Sequence, residues 1–516
     1  MVAQQTEQTG VDAGQGDQSA APGVWRYAWA SRASLVVDGE DYFDLMQQAM
    51  LKAEQRILLI GWDFDTRIHL SKGRRWWEKG WRRYYPRRLG SFILWLGRKR
   101  PGLEVRILKW SVGALKFLGR GSMMIDLIRW WPHRRIDFKF DTAHPVGCSH
   151  HQKLVIIDNK FAVCGGIDMT SRRWDTRDHL EHDDRRIGPG GAPYGPWHDM
   201  AMLMEGDIAA ALADLGHTRW IAAGGKPLIP CRPQDHSAWP DALGAHFENV
   251  EVGIARSRAA YKDQPRIDEV EQLFLLQIAA AKHFIYAENQ YFASRTICEA
   301  IAKRLNEPDP PEIVIVHAQS ADGWIESQVM DPARAALVDA VRELDANDRF
   351  HLYVPFAGKT PIYVHAKLLI VDDMVIRVGS ANFNNRSMGL DSECDVFIDA
   401  ARPGNAHAHE PIRALRHSLL AEHCGVEQDE VARLLEQHGS MAAMIASLGG
   451  TKACRLRPFN TTIHEDWAHE LAEREMFDPE HPDELFAILP RKRGLFRPGS
   501  LLAKAKTRLT RKRSDK

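Results

Sequence analysis

SHHQKLVIID, at Ser149–Asp158, places two histidines and a lysine directly before a run of Leu-Val-Ile-Ile. VHAKLLIVDD, at Val364–Asp373, arranges a histidine, a lysine and an apolar run in the same order. Short apolar runs of this kind are typical of buried strands in a sheet. Each stretch therefore predicts titratable side chains at the mouth of a buried strand, where they are costly unless they have partners or a function.

The two stretches are copies of one pattern separated by 214 positions. Several chemically matched positions at one fixed offset are hard to obtain by chance. An internal duplication is the simplest explanation, and it predicts two halves of similar fold that meet face to face. The matched pairs are His151 and His365, Lys153 and Lys367, Asp158 and Asp372, Gly165 and Gly379, and Gly166 and Ser380.

Strand geometry sorts the side chains of each motif onto two faces, because residues i and i+2 of a strand share a face. The histidine and the lysine of each motif are two positions apart, so they stand side by side. Asp158 and Asp372 follow their histidines by seven positions, an odd separation that turns them away. Although both aspartates belong to the motif that we predict to be catalytic, we expect them to anchor the site from behind.

Two such halves brought together make one pocket with two imidazoles and two ammonium groups, for which a phosphate is the natural guest. A neutral histidine can attack phosphorus, and a charged one can protonate the leaving alkoxide. Two histidines therefore suffice for displacement through a phosphohistidine, so we expect no metal and no cofactor. The Gly-Gly and Gly-Ser pairs end the next strand, where small residues predict backbone N–H groups that approach an anion closely.

At this point the chain resembles the phospholipase D superfamily, whose mark is HxKxxxxD followed by Gly-Gly or Gly-Ser. The mark occurs here as HQKLVIIDNKFAVCGG and as HAKLLIVDDMVIRVGS. Further strings resemble the phospholipase D enzymes themselves. They are GGIDMTSRRWD (Gly165–Asp175), PWHDM (Pro196–Met200), YAENQYF (Tyr286–Phe292) and GSANFNNRSMGLDSE (Gly379–Glu393).

The resemblance implies a bilobed α/β fold with the active site between two similar sheet-and-helix halves. It implies attack by one histidine and proton donation by the other: we assign His151 as nucleophile and His365 as general acid, with the reverse assignment left open. The resemblance implies that the side chains of Lys153, Lys367 and Asn382 hold the phosphate. Gly166 and Ser380 are further expected substrate-binding residues, through their backbone.

Two acidic residues are candidates for orienting the imidazoles. Glu393 follows His365 by 28 positions, and Asp175 is its expected counterpart in the first half. The position that matches Asn382 in the first half is Asp168, whose carboxylate would repel a phosphate. We therefore expect Asp168 to cap a helix or to point elsewhere.

Apolar strand patterns alternate with helical ones along the chain, which indicates a sheet with helices on its faces. We predict a disordered leader over residues 1–24, a first half over 25–225, a second half over 226–425 and a helical extension with a basic tail over 426–516. The leader lacks a signal-peptide pattern, and the chain lacks a run of 18 apolar residues. Cytoplasmic location with peripheral membrane contact is the resulting expectation.

Composition limits the possible partners. The 516 residues carry 68 basic and 68 acidic side chains, so a nucleic-acid-binding protein with a global positive field is disfavoured. Seven scattered cysteines without a CxxC pair indicate reduced thiols, not a disulfide framework or a zinc cage. The basic and aromatic stretch 72–100 and the basic tail 491–516 could lie on an anionic membrane surface, or be a core-packed helix and a disordered tail. We expect a monomer.

Four functions remain at this stage. The first is a phospholipase D that hydrolyses the headgroup phosphodiester of glycerophospholipids to phosphatidic acid, with water or an alcohol as acceptor. A phosphatidyltransferase of the cardiolipin synthase type, a nuclease and a non-catalytic lipid-binding protein are the alternatives. The sequence leaves the headgroup and the physiological acceptor open.

Overall fold

A computed structural model of the chain describes residues 21–71, 85–110, 121–233, 235–320, 324–449, 454–461, 478 and 495–514. The strands are β1 (Arg26–Val37), β2 (Arg56–Gly61), β3 (Glu104–Trp110), β4 (Ile136–Asp141), β5 (Leu154–Ile157), β6 (Phe161–Gly165), β7 (Trp197–His198), β8 (Met200–Gly206), β9 (Phe247–Arg258), β10 (Ile267–Asp268), β11 (Phe284–Asn289), β12 (Glu312–His317), β13 (Phe350–Ala357), β14 (Thr360–Pro361), β15 (Tyr363–Val364), β16 (Lys367–Val371), β17 (Val375–Gly379), β18 (Glu393–Asp399) and β19 (Leu456–Pro458).

The helices are α1 (Gly39–Lys52), α2 (Leu89–Lys99), α3 (Gly121–Trp130), α4 (Asp207–Ala222), α5 (Glu269–Ala280), α6 (Arg295–Leu305), α7 (Trp324–Leu344), α8 (Asn385–Gly389), α9 (His409–Cys424), α10 (Gln428–His438), α11 (Met441–Leu448) and α12 (Leu501–Ser514), with a 3-10 turn at Ala406–Ala408.

Both halves use the same strand order. In the first half the strands run β4-β3-β2-β5-β6-β8-β1, and in the second they run β13-β12-β11-β16-β17-β18-β9. The first three strands of each series are parallel and the others antiparallel. Parallel neighbours need crossover connections, which α2 and α3 supply in one half and α6 and α7 in the other. The two halves join where β1 pairs with β9, so the predicted α/β fold of two similar sheet-and-helix halves is confirmed.

The alternation of side chains along each strand divides the core into layers. Leu58 and Ile60 of β2 point into the core between the two halves, whereas Ile57 and Leu59 pack under α1 and α2. The strand that carries the second motif does the same, with Leu368 and Ile370 between the halves. Each fully buried side chain of this size contributes roughly 1.5–3 kcal/mol to folding. The apolar side chains of the motif strands thus pack between the two halves and stabilise their contact.

The C-terminal tail differs from one of our expectations. Residues 501–514 form α12, whose Leu502 and Ala505 are buried in the core of the second half, so a disordered tail is wrong for this segment. Lys512 of the same helix pairs with Glu343 of α7. The helix forms because its small and apolar residues recur on one side while its basic residues face outward.

Part of the basic and aromatic stretch is also visible. Residues 72–84 lie outside the described residues, as do residues 1–20 of the predicted leader. The remainder contains α2, in which Phe92 and Leu96 are buried in the core of the first half. Trp95 stacks on Phe92 with ring centroids 6.3 Å apart. For α2 the core-packing interpretation therefore describes the structure.

Two further expectations concern membrane spans and thiols. Among the helices that the structure describes, none combines the length and the apolar character needed to cross a bilayer. All seven cysteines fall in described segments, and none of them forms a disulfide there.

Candidate active site

His151 lies three residues before β5, and the opposite half of the molecule holds it. Its backbone N–H donates to the carbonyl of Ser392 at 2.9 Å. Its Nδ1 is 3.0 Å from Glu393 Oε2 and 3.0 Å from the carbonyl oxygen of Ser380. Because these acceptors hold a proton at Nδ1, the lone pair of a neutral ring lies on Nε2.

His365 is held by the first half in the same reciprocal way. Its backbone N–H donates to the carbonyl of His198 at 2.7 Å, and its Nδ1 is 2.7 Å from Asp199 Oδ2. The short parallel pair of β7 and β15 brings these segments together. Its ring lies against Trp197, with centroids 5.1 Å apart. Each motif histidine thus takes its carboxylate from the other half, so the site exists only where the halves meet.

The two motif lysines are buried beside the imidazoles. Lys153 Nζ donates to the carbonyl of His151 at 2.7 Å, and Lys367 Nζ donates to the carbonyl of His365 and to Gln290 Oε1. Lys153 is 4% exposed and Lys367 is 3% exposed. Burial lowers the pKa of Lys367 to about 7, and nearby Asp199 partly opposes this shift.

The same buried cations affect the pKa of both imidazoles. Burial lowers the pKa of His151 well below its ordinary value, and the ammonium groups of Lys153 and Lys367 lower it further. Burial, Lys367, Arg173 and Lys153 do the same to the pKa of His365. Lysines of both halves thus contribute to the electrostatic environment of both rings.

Glu393 is the hub of a hydroxyl network. Ser380 Oγ donates to it at 2.5 Å and Ser387 Oγ at 2.7 Å, in addition to the contact with His151. Burial raises the pKa of Glu393 well above its ordinary value, against the effect of Lys153 and these two hydroxyls. The structure therefore places Glu393 where a residue that orients an imidazole is needed.

Asp199 fills that place for His365, and the expectation for Asp175 is wrong. Asp175 accepts hydrogen bonds from His179 Nδ1 at 2.9 Å and from the amide of Trp197 at 2.8 Å, so it orients a different imidazole. Burial raises the pKa of Asp199 to about 7.

The physical reason for the error is the length of one connection. Gly165 pairs with Ala201 and Gly379 pairs with Asp395, and the acidic residue lies two positions before the partner in both halves. That residue comes 14 positions after Gly379 but 34 positions after Gly165, because the first half carries a longer insertion. Counting forward from the motif could not find it. The string PWHDM, which contains Asp199, was the available signal.

The predicted backbone cradle for an anion is also wrong. The amide of Gly166 donates to the carbonyl of Met200 at 2.9 Å, and that of Ser380 donates to Asp395 Oδ1 at 2.9 Å. Small residues are needed here for another reason. A Cβ on Gly166 would lie 2.0 Å from Asp199 Oδ1, so glycine admits the carboxylate that holds His365.

Asn382 and Asp168 occupy matched positions but differ in their contacts. Asn382 is 4% exposed, and its Oδ1 accepts no hydrogen bond from any described residue. Asp168 caps no helix: its Oδ1 accepts from the amide of Trp62 at 3.0 Å, and its Oδ2 is 3.6 Å from Lys153 Nζ. The carboxylate thus faces the lysine, which reduces the repulsion that a phosphate would meet there.

Asp158 and Asp372 lie behind the site and bind backbone. Asp158 accepts from the amides of residues 54, 55 and 56 at 2.7–2.8 Å, and Asp372 accepts from those of residues 282, 283 and 284 at 2.7–2.9 Å. Both adopt positive φ, 54° and 53°, in the hairpin turn that follows the motif strand. Their place in the catalytic motif is thus structural, since each ties that turn to the start of a neighbouring strand.

Sequence reasoning missed several residues that surround the imidazoles. Arg173 stacks on Trp197 with its guanidinium carbon 4.0 Å from the ring centroid and adds a third cation beside His365. Trp62 stacks on Trp110 and meets the ring of His151 edge-on at 6.4 Å. GGIDMTSRRWD contains Arg173, but a single arginine in that string gave no reason to select it.

The chain is similar in sequence to known proteins. A family model described as phospholipase D matches residues 340–446. Phospholipase D alpha 1 of Zea mays is 26% identical over 76% of this chain and 64% of its own length. Phospholipase D alpha 1 of Cynara cardunculus is 26% identical over 55% of this chain and 50% of its own length. The chain thus spans less than two thirds of the length of these relatives.

A solved structure has the same fold at low identity. The phosphatidylserine synthase of Haemophilus influenzae superposes with a TM-score of 0.51 at 11% identity, covering 82% of this chain and 96% of that chain. Fold and site together define a two-half α/β protein in which each motif histidine is held by a carboxylate of the other half. The family-model match and the plant relatives support assignment of the chain to the phospholipase D superfamily.

Proposed function

We propose that the protein is a phospholipase D, which cleaves the headgroup phosphodiester of glycerophospholipids and releases phosphatidic acid and an alcohol. The observation that carries the proposal is the reciprocal arrangement of the imidazoles. Each is held at Nδ1 by a carboxylate of the other half, at 3.0 Å for His151 and 2.7 Å for His365. In both rings the remaining nitrogen, Nε2, is therefore the atom that acts on a phosphate bound between Lys153 and Lys367.

In the first step the lone pair of His151 Nε2 attacks phosphorus. The bond from phosphorus to the headgroup oxygen breaks, and the departing oxygen takes a proton from Nε2 of His365. The pair of His365 and Asp199 supplies that proton, while the pair of His151 and Glu393 keeps the Nδ1 proton of the nucleophile. The product is a phosphatidyl group on His151.

In the second step a water molecule loses a proton to Nε2 of His365 and attacks phosphorus. The bond to His151 breaks and phosphatidic acid leaves. An alcohol can take the place of water, because the covalent intermediate outlives the departure of the headgroup. Lysine ammonium groups near the phosphate stabilise the charge that develops in both steps. Asn382, with an unpaired buried Oδ1 and an amide donor, is proposed as a further phosphate ligand.

The decisive test is incubation with vesicles of mixed phospholipids, with and without ethanol, followed by mass analysis of the products. We expect phosphatidic acid without ethanol and phosphatidylethanol with it. His151→Ala should abolish both products, and the exposed His409→Ala should leave them unchanged. Phosphatidic acid released at the same rate by His151→Ala would refute the mechanism. Cleavage of single- or double-stranded DNA in place of lipid would indicate the nuclease alternative.

We also propose that the protein meets its substrate at an anionic membrane surface, inside the cell and as a monomer. The supporting observation is the outer face of α12, where the basic residues Lys504, Arg508 and Arg511 are exposed opposite the buried Leu502. Such a face attracts anionic lipids by roughly 1 kcal/mol per basic residue. Co-sedimentation with phosphatidylserine vesicles should weaken at high salt and in a variant with these three residues changed to Gln. Equal binding by this variant would exclude α12 as the contact.

A further inference from the structure

A second cluster of titratable side chains lies behind the imidazole pair, and the proposed mechanism does not use it. It contains Asp38, His179 and His198, which are buried, and Glu422, whose side chain is 3% exposed. Asp38 precedes α1, the two histidines lie in the long insertion of the first half, and Glu422 is on α9. The cluster therefore joins the first half to α9 at the end of the second half.

The spacing of the four side chains is that of ligands around one centre. His179 Nε2 is 3.2 Å from Asp38 Oδ2 and 3.1 Å from Glu422 Oε1. His198 Nδ1 is 3.2 Å from Asp38 Oδ1 and 3.2 Å from Glu422 Oε1. Four ligands at about 2.0–2.1 Å from a tetrahedral Zn²⁺ are separated from one another by about 3.3 Å. The four separations are close to this value, with Asp38 offering Oδ2 to His179 and Oδ1 to His198.

Two of these atoms lie close to charged neighbours but form no hydrogen bond within the described part of the chain. Asp38 Oδ2 and His198 Nδ1 are buried and accept or donate no hydrogen bond within the described part of the chain, although charged atoms lie 3.2 Å away. Asp38 is 1% exposed and His198 is fully buried. His179 Nε2 and Glu422 Oε1 do share a hydrogen bond at 3.1 Å, so the atoms that an ion would satisfy are those of Asp38 and His198.

Both imidazoles are prepared as metal ligands by a carboxylate on the far nitrogen. Asp175 Oδ2 is 2.9 Å from His179 Nδ1, and Glu288 Oε2 is 2.6 Å from His198 Nε2. A carboxylate at that nitrogen keeps the proton there and leaves the lone pair of the other nitrogen for the ion. This gives Asp175 the role of positioning a ligand, in place of the role that the sequence suggested.

The charges around the cluster are compatible with a divalent ion. Asp38, Asp175, Glu288 and Glu422 carry four negative charges, and Arg177 and Arg186, which contact Glu422 and Asp175, carry two positive ones. With neutral imidazoles this buried group is two positive charges short, a deficit that either one divalent cation or two bound protons would fill. The cost of isolated buried charge is high, so the shortfall has to be met.

We propose that Asp38, His179, His198 and Glu422 bind a structural Zn²⁺ ion. The ion takes no part in bond breaking, so the expectation of metal-free chemistry at the imidazole pair is retained. Its effect reaches the site through the backbone: the carbonyl of His198 accepts the amide N–H of His365, and Asp199 follows His198 directly. The ion therefore fixes the segment that holds the second imidazole.

The first test measures metal content by mass spectrometry on full-length protein purified without a chelating column. We expect one zinc per chain in the natural protein and in His182→Ala, an exposed histidine of the same insertion that serves as the matched control. His179→Ala and Glu422→Gln should lose the zinc. Asp175→Asn, which keeps the side-chain volume, should weaken zinc affinity by about 10–100-fold.

The second test adds zinc chloride to protein stripped with a strong chelator and follows the Tm. The Tm should rise and saturate at one equivalent in the natural protein and in His182→Ala, but not in His179→Ala. Protein without stoichiometric metal, whose Tm does not respond to Zn²⁺, would overturn the proposal and leave a network neutralised by protons. Neither readout depends on lipid cleavage, so this site can fail while the phospholipase assignment stands, and the reverse.

Discussion

The two half-sites hold equivalent imidazoles in unequal ways. His151 has two acceptors at Nδ1, the carboxylate of Glu393 and the carbonyl of Ser380, and Glu393 is itself fixed by two serine hydroxyls. His365 has Asp199 as its acceptor, and the other oxygen of Asp199 accepts the amide of Met200 at 2.8 Å. The first imidazole is thus held redundantly, whereas the second depends on one carboxylate.

This difference suits the roles that we propose for the two rings. A nucleophile that carries a phosphatidyl group has to stay fixed through two steps, so redundant acceptors are useful. An acid and base has to exchange a proton with a leaving group and then with water, and a single carboxylate partner favours that exchange. The following experiments test whether this difference matters for catalysis.

The largest effect is expected from separating the nucleophile from the acid with an activated substrate. A phosphodiester with a nitrophenol leaving group needs little help from an acid, because nitrophenolate is a stable anion. His365→Ala should lose about 10²–10⁴-fold in turnover of phospholipid but should still form a phosphohistidine with the activated substrate. His151→Ala should form none.

The measurement is mass spectrometry of the protein shortly after mixing, with peptide mapping of the modified residue. A phosphoryl group found on His365 in His151→Ala would reverse the assignment of the two roles. Loss of the adduct in both variants would contradict a covalent intermediate altogether.

A second, smaller effect should follow from removing one carboxylate at a time. Asp199→Asn removes the acceptor that holds the tautomer of His365, and we expect a loss in kcat that approaches but does not exceed the loss in His365→Ala. Glu393→Gln should cost about tenfold or less, because the carbonyl of Ser380 still accepts from His151. Steady-state kinetics with phospholipid vesicles measures both.

Each of the two variants is the control for the other, because both changes keep the side-chain volume and both carboxylates are buried. Circular dichroism and Tm show whether each variant folds. An equal loss in the two variants would show that the extra acceptor at His151 contributes nothing, and the asymmetry of the half-sites would then have no functional consequence.

The sequence was sufficient for the parts of the site that lie inside a continuous motif. The spacing of two positions between His151 and Lys153 fixes their proximity on a strand, and the repeated spacing in the second motif revealed the other pair. Glu393 could be found because a short connection separates it from β17. These features are local in sequence, so the period of a strand decides them.

The sequence was insufficient where a connection of arbitrary length intervenes. Asp199 stands in the same place as Glu393 relative to the paired strands, but the longer insertion in the first half hides the correspondence. The backbone cradle failed for a different reason. Gly166 was chosen for its small size, and its size is needed, but for a carboxylate from the other half, which is a tertiary contact.

A third prediction concerns pH and the two lysines. Protonated Lys367 attracts a phosphate, whereas the neutral amine does not. Because burial lowers its pKa to about 7, the charge is present below pH 7 and lost above it, so kcat/KM should fall as the pH rises through about 7. Lys367→Arg keeps its charge at all working pH values and should lose this limb.

Lys153→Arg is the matched control and should retain the limb, because Lys367 still titrates. The measurement is kcat/KM across pH with a substrate whose own ionisation lies far from neutrality. A limb of unchanged position in Lys367→Arg would assign it to another group and remove Lys367 from phosphate binding.

The smallest effect on catalysis, and a clear one on stability, is expected at the two motif aspartates. Asp158→Ala and Asp372→Ala each leave three backbone N–H groups without their acceptor. Hydrogen bonds to a charged acceptor contribute about 1.5–3 kcal/mol, so Tm should drop while kcat stays within about twofold. Asp158 should be the more costly change, because Arg56 is buried whereas Lys282 and His283 are exposed to water that can replace the lost acceptor. Thermal unfolding and vesicle assays on the same preparations decide the point: a folded variant with a large loss of kcat would return these aspartates to the chemistry, and equal Tm losses would mean that solvent does not compensate at Asp372.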